Sequence, residues 1–109
     1  MYTRFLEFEI KPEKKNEFVN FTKTEILPVL IKQAGFVELL PFFPENGNDK
    51  KVFSFSLWNK KTDAERYERE WYPKVAEMMK PYLVSTPTVR YYNLESSLLC
   101  KEFAHACVA

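Results

Sequence analysis

Glycine occurs only twice in this chain of 109 residues, at Gly35 and Gly47. A phosphate-cradling loop needs several glycines close together, so the glycine-rich nucleotide fingerprints are excluded. Histidine occurs once, at His105, which leaves few routes to nucleophilic catalysis through a histidine base. The two cysteines, Cys100 and Cys107, both fall in the tail and are too few for a disulfide scaffold. No apolar run approaches the roughly 18 residues of a membrane span. Neither sign of charge dominates: 16 basic and 15 acidic side chains leave a net charge of +1. The clustered basic face of a nucleic-acid-binding surface is therefore missing. Even in KPEKKNEF, Lys11, Lys14 and Lys15 are interleaved with Glu13 and Glu17, the pattern of a solvated helix start. The opening MYTRFLEFEI carries acids and no long apolar segment, so no signal peptide is expected and the expected location is cytoplasmic.

What the chain has is apolar mass and aromatic rings. Apolar residues make up 46% of it, enough for the core of one domain. Both tryptophans and two of the six tyrosines lie in SLWNKKTDAERYEREWYPKV, residues 56–75. Residues 2–10 read as a strand, with Leu6, Phe8 and Ile10 on one face and Phe5, Glu7 and Glu9 on the other. Pro12 suits a first helical position. Residues 12–33 carry Phe18, Phe21, Thr22, Ile26 and Leu30 at helical spacings. Pro28 lies inside that run and should kink the helix or start a second one, and Gly35 should stop it.

GFVELLPFF predicts a second strand, with Pro41 marking an edge, a bulge or its end. Asn46-Gly47 signals a hairpin turn. VFSFSLW alternates strictly: Phe53, Phe55 and Leu57 point one way, and Ser54, Ser56 and Trp58 the other. TDAE reads as a capping box in which Thr62 and Glu65 close the start of a helix. Ala64, Tyr67 and Trp71 then form one stripe, Pro73 interrupts it, and a short helical piece runs to Pro81. TVRYYNLE predicts the last strand.

The order is βαββαβ, with both helices interrupted by proline. This is an α+β, ferredoxin-like plan: a four-stranded antiparallel sheet with helices on one face. Both strand faces carry large apolar groups, such as Phe5 beside Leu6, Phe36 beside Val37 and Tyr91 beside Tyr92. The second face is expected to be covered by the same sheet of another subunit, in a homodimer. Residues 1–95 form this domain. Residues 96–109, SSLLCKEFAHACVA, are too apolar for a free tail and are expected to pack on the body or on the partner subunit.

Several stretches resemble the antibiotic-biosynthesis-monooxygenase-like domains: the opening strand with IKPEKKNEF, LPVLIKQAGF, SLWNKKTDAERYEREWYPKV and TPTVRYYNLE. The resemblance covers roughly residues 2–95. It implies a dimeric α/β barrel with a pocket between sheet and helices. Some members oxygenate aromatic polyketides without metal or flavin, and others bind and degrade haem. Haem binding usually takes an axial histidine from the helical region, and no histidine precedes His105 here. The implied function is a cofactor-independent monooxygenase-like protein with a pocket for a small phenolic or quinone-like ligand. The alternative is a non-catalytic ligand-binding or structural dimer.

Trp58 matches the family's strand-end tryptophan, which can line the pocket. Ser54 and Ser56 share its face, and such small hydroxyl side chains leave space for a ligand. Tyr67 and Trp71 share a helix face. Trp58 would orient an aromatic ring and Trp71 would be a further ligand-binding residue, while Arg90, Tyr67 or Tyr92 would stabilise a phenolate or enolate or relay a proton. The family pattern also has an asparagine in the tryptophan's strand and a tyrosine early in the next helix, and here Ser54, Ser56 and Ala64 stand there. As core or interface groups, Tyr67 and Trp71 would fill space, and Arg90 would pair with Glu7, Glu9 or Glu38. Glu7 and Glu9 share a face, more in the manner of interface groups than of an acid–base pair. Cys100, His105 and Cys107 lack a fourth ligand and regular spacing, so no metal site is assigned.

Overall fold

The computed structural model describes residues 1–99. Strand β1 (Tyr2–Glu9) leads through a 3₁₀ turn (Pro12–Lys14) into helix α1 (Lys15–Phe21). A π-helical segment (Thr22–Ile26) joins α1 to helix α2 (Leu27–Ile31). Strands β2 (Phe36–Phe42) and β3 (Lys51–Trp58) follow, then helices α3 (Lys61–Glu70) and α4 (Tyr72–Met79). A 3₁₀ turn (Lys80–Tyr82) leads to strand β4 (Thr88–Asn93), and a last turn covers Ser96–Leu98. The sheet order is β2-β3-β1-β4 with every pairing antiparallel, as the ferredoxin-like reading requires.

Pro28 and Pro73 mark the irregular points of the two helical stretches. Pro28 has no N–H to give the preceding turn, and the backbone responds by widening rather than ending. The N–H of Leu27 reaches back to the carbonyl of Thr22, five residues away. Thr22 and Thr24 each turn a hydroxyl onto a carbonyl four residues back, Phe18 O at 2.9 Å and Asn20 O at 3.1 Å. Pro73 stands in the first turn of α4, directly after the break at Trp71. Pro41 lies on β2, an edge strand, where a missing ladder donor is tolerated.

Two local readings need correction. β2 and β3 pair as the hairpin that Asn46-Gly47 signals, but those two residues do not form its turn, because Gly47 lacks the positive φ that a two-residue turn demands. Instead Asn46 closes a turn within a longer loop, its Oδ1 accepting from Asn48 N and its carbonyl from Asp49 N. Thr62 does not cap α3 either. The helix starts one residue before it, with Lys60 at the cap position, extended and without a side-chain capping bond.

The alternation in β3 is as read. Val52, Ser56 and Trp58 are buried against the helices, and Phe53, Phe55 and Leu57 face the other way. One core lies between sheet and helices, built from Leu6, Phe8, Phe18, Phe21, Ile26, Leu30, Val52, Trp58, Tyr67, Val75 and Met79 among others. The opposite sheet face carries an aromatic cluster. Phe5 lies 5.7 Å from Phe53, 5.1 Å from Phe55 and 6.0 Å from Tyr92, and Phe42 lies 6.0 Å from Phe55. Phe42 and Tyr92 there are about half exposed, at 52% and 48%. No helix among the described residues is long and apolar enough to cross a membrane. Cys100, His105 and Cys107, with most of the expected tail, lie outside the described residues.

Candidate functional site

Between the sheet and the helices lies a cavity of about 230 Å³. It is larger than the roughly 150 Å³ hole that accepts benzene in an engineered core. Leu6, Phe8 and Val52 of the sheet and Phe18, Ile26, Leu30, Val75 and Met79 of the helices give it apolar walls. The widened turn contributes Thr22, Lys23 and Ile26, so the irregularity caused by Pro28 lies against the cavity. Lys23 and Glu38, both exposed, stand at its rim.

One end is polar, and its centre is Arg4, which sequence reasoning missed. Arg4 lies on the helix-facing side of β1 and is 4% exposed. Its guanidinium carbon sits 3.9 Å from the centre of the Tyr72 ring and 5.7 Å from that of Tyr67. Its Nη2 is 3.6 Å from Glu68 Oε1, an ion pair too long to be a hydrogen bond. The buried Nε and Nη2 donate to no acceptor among the described residues. The signal was available: Arg4 has the same parity as Leu6, Phe8 and Ile10, so strand alternation turns its charge toward the core.

Ser54, Ser56 and Tyr67 are the predicted site residues that line the cavity. Ser56 is already committed, since its hydroxyl accepts the Trp58 indole N–H at 2.9 Å and faces the Arg4 carbonyl at 3.4 Å. Burial pushes the Tyr67 hydroxyl from its ordinary value of 10.0 up to about 12; the Arg4 cation opposes the rise, and Tyr72 and Glu68 add to it. At neutral pH Tyr67 is therefore a hydrogen-bond donor and not a base.

This shift has a measurable consequence. An unfolded tyrosine loses its proton near pH 10, whereas Tyr67 in the folded chain keeps it to about pH 12. Stability from this group is full below pH 10 and falls as pH rises from 10 to 12, by about 2–3 kcal/mol in all. In urea unfolding across that window, Tyr67→Phe should lose less stability than the parent by about that amount. Parallel losses in the two proteins would contradict the assignment.

The other predicted residues lie elsewhere. Trp58 is fully buried behind the wall, packed on Tyr67 at 5.3 Å and on Phe36 at 5.5 Å, and does not line the cavity. Trp71 stands at the α3–α4 break, 37% exposed, with Lys74 over its ring at 4.7 Å. It leaves the stripe of Ala64 and Tyr67 because the helix ends there. Arg90 and Tyr92 pair with Phe5 and Thr3, which puts them on the sheet face opposite the cavity. Arg90 lies 5.8 Å over the Phe5 ring and forms no ion pair with Glu7, Glu9 or Glu38 among the described residues. No cluster of candidate metal ligands occurs among the described residues.

The fold and the site together define a ferredoxin-like α+β domain with an apolar cavity, polar at one end, between sheet and helices. Solved structures of the same fold include antibiotic biosynthesis monooxygenases. The ActVA-Orf6 monooxygenase of Streptomyces coelicolor, solved in complex with nanaomycin D, is 15% identical and superimposes with a TM-score of 0.68 over 92% of each chain. SnoaB, a cofactor-independent oxygenase from Streptomyces nogalater, solved as a point mutant, is 15% identical with a TM-score of 0.67, covering 89% of this chain and 95% of that one. A Nitrosomonas europaea protein of unknown function, NE2512, is 14% identical with a TM-score of 0.70, covering 91% and 93%. At these identities the shared property is the fold, as the resemblance in the sequence led one to expect. No family model matches the sequence, and neither does any curated protein.

Proposed function

We propose that this chain is a monooxygenase-like protein whose cavity takes a small aromatic, phenolic or quinone-like ligand and oxygenates it without a resident cofactor. The observation that carries this reading is the cavity itself: apolar walls sized for fused rings, with a few polar groups gathered at one end. The fold is shared with oxygenases that include one described as cofactor-independent, which supports the reading.

The chemistry is compatible with such sparse equipment. An electron-rich ring with an acidic CH₂ reacts with O₂; one oxygen atom becomes the new carbonyl and the other leaves as water with the two hydrogens removed. The substrate supplies all four electrons. The protein has to exclude water, orient the ring and stabilise the enolate or phenolate that meets oxygen. The Tyr67 hydroxyl, held protonated, can donate to that oxyanion from the helix side, and the Ser54 hydroxyl lines the cavity from the sheet side.

A second reading is ligand binding without turnover. It is favoured by the commitment of Ser56 to Trp58 and by the full burial of Ala64, which leave fewer polar groups for chemistry. In both readings we propose a homodimer through the aromatic sheet face, since Leu40, Phe42 and Tyr92 are otherwise left at 39%, 52% and 48% exposure.

Native mass spectrometry of protein freshly purified from its own host tests these together. The expected result is a dimer carrying an aromatic-sized mass, which then drives oxygen uptake when supplied as substrate. Ser54→Leu, which fills the cavity from the sheet side, should abolish retention and uptake while the fold persists. A retained mass with no oxygen uptake would select the binding reading. Retention unaffected by Ser54→Leu would reject the cavity as the site.

A further inference from the structure

We infer that the cavity selects ligands bearing an anionic oxygen, a carboxylate or a phenolate on an aromatic ring, and that Arg4 is the group that holds it. The inference rests on the cavity being the ligand site and adds the chemical class of what enters it.

The argument starts from the cost of Arg4. A guanidinium cannot shed its charge by losing a proton, so burial leaves the full charge to be compensated. What surrounds it compensates only in part. Tyr72 and Tyr67 offer ring faces, which attract the cation but accept none of its N–H groups in a directed bond. Glu68, about one-third exposed, stands 3.6 Å away and makes no hydrogen bond to it. Two buried donors, Nε and Nη2, remain without an acceptor among the described residues. Buried polar groups in folded proteins nearly always have partners, so such a pair of sealed donors in a side chain that lines the cavity is an exception needing a reason.

The geometry supplies one. Nε and a terminal nitrogen of a guanidinium form a fork that matches the two oxygens of a carboxylate, and a single phenolate oxygen can also sit between them. The Tyr72 ring, with its centre 3.9 Å from the guanidinium carbon, packs against that fork. The rest of the cavity is mostly apolar, with hydroxyl groups and the rim pair Lys23 and Glu38 as its other polar groups, so a ligand that satisfies Arg4 presents one charged oxygen on a largely hydrophobic body. A purely structural role would be served by an arginine fully bonded to carboxylates or carbonyls.

The test uses 2-naphthoate and 2-naphthamide, which share a shape and differ in charge, titrated by calorimetry against the dimer or monomer as purified. The parent protein should bind the carboxylate at least about tenfold more tightly than the amide, the scale of a charge-assisted hydrogen bond in a buried site. Arg4→Gln should remove that preference while retaining amide binding. The comparison within the parent protein needs no variant, so misfolding of Arg4→Gln cannot rescue the inference. Equal affinity for the two probes would overturn the role of Arg4 and leave the cavity as the ligand site. Failure of both probes to bind at millimolar concentration would overturn both readings.

Discussion

Trp58→Ala is expected to lower the unfolding free energy by about 3–5 kcal/mol, the usual cost of deleting a large buried ring. Three features put it at the top of that range. The ring is fully buried, it packs between Phe36 and Tyr67, and its N–H is the donor that Ser56 accepts. The hole left behind would adjoin the existing cavity, where nothing is placed to collapse into it. A domain of this size has roughly 5–15 kcal/mol in total, so the variant should sit close to unfolding at ambient temperature. Trp71→Ala is the matched control. Its ring is 37% exposed, and the loss should stay near 1 kcal/mol or below. Urea unfolding monitored by circular dichroism gives both values. Similar losses at the two sites would show that Trp58 is not the core residue its burial indicates.

Gly35→Ala should cost about 2–4 kcal/mol, from two sources that act at once. The backbone there has φ +82°, a left-handed conformation that a Cβ disfavours. A Cβ built on Gly35 would also overlap the side chain of Asp63 back to that residue's own Cβ. Asp63 lies in the first turn of α3, and the carbonyl of Gly35 accepts the N–H of Asn59 at 2.8 Å. Gly35 thus turns the chain from α2 into β2 while holding the β3–α3 junction against it. Because the overlap reaches Cβ, Asp63→Ala should not restore the stability of Gly35→Ala. Full recovery in the double variant would mean that the carboxylate alone, and not the backbone approach, sets the requirement for glycine.

The order of elements was legible from the strand and helix patterns, and the faces of β3 from its alternation, which buries Val52, Ser56 and Trp58 on one side and leaves a single consistent register for that strand. The helix breaks were legible from Pro28 and Pro73, although a sequence does not say that a helix will widen into a π turn rather than stop. The site was legible in part. Ser54, Ser56 and Tyr67 follow from the parity of β3 and the stripe of α3. Arg90 and Tyr92 were misplaced because β4 has no clear alternation: Tyr91 and Tyr92 look alike, and only pairing with β1 decides which shares the helix-facing side of the sheet. Trp58 lines nothing because its indole is turned onto Ser56, a side-chain bond that spacing does not encode. Arg4 was passed over because strand arginines are usually exposed. Its parity was visible, but the Tyr72 ring that shelters it comes from an element far along the chain.

The two sheet faces are chemically unlike, and this has a consequence for how the protein can change. Sliding β1 by one residue would carry Arg4 out to the aromatic face and bring Phe5 into the cavity, exchanging the two surfaces along the strand. Such a shift is penalised at both residues, so the unlike faces of β1 hold its pairing with β3 in register, and the loop between β2 and β3 takes no part in that. Its outer part, residues 45–50, is exposed throughout and is held by short-range bonds of Asn46 and Asp49. That is where residues can be gained or lost among descendants of this chain while the cavity keeps its walls.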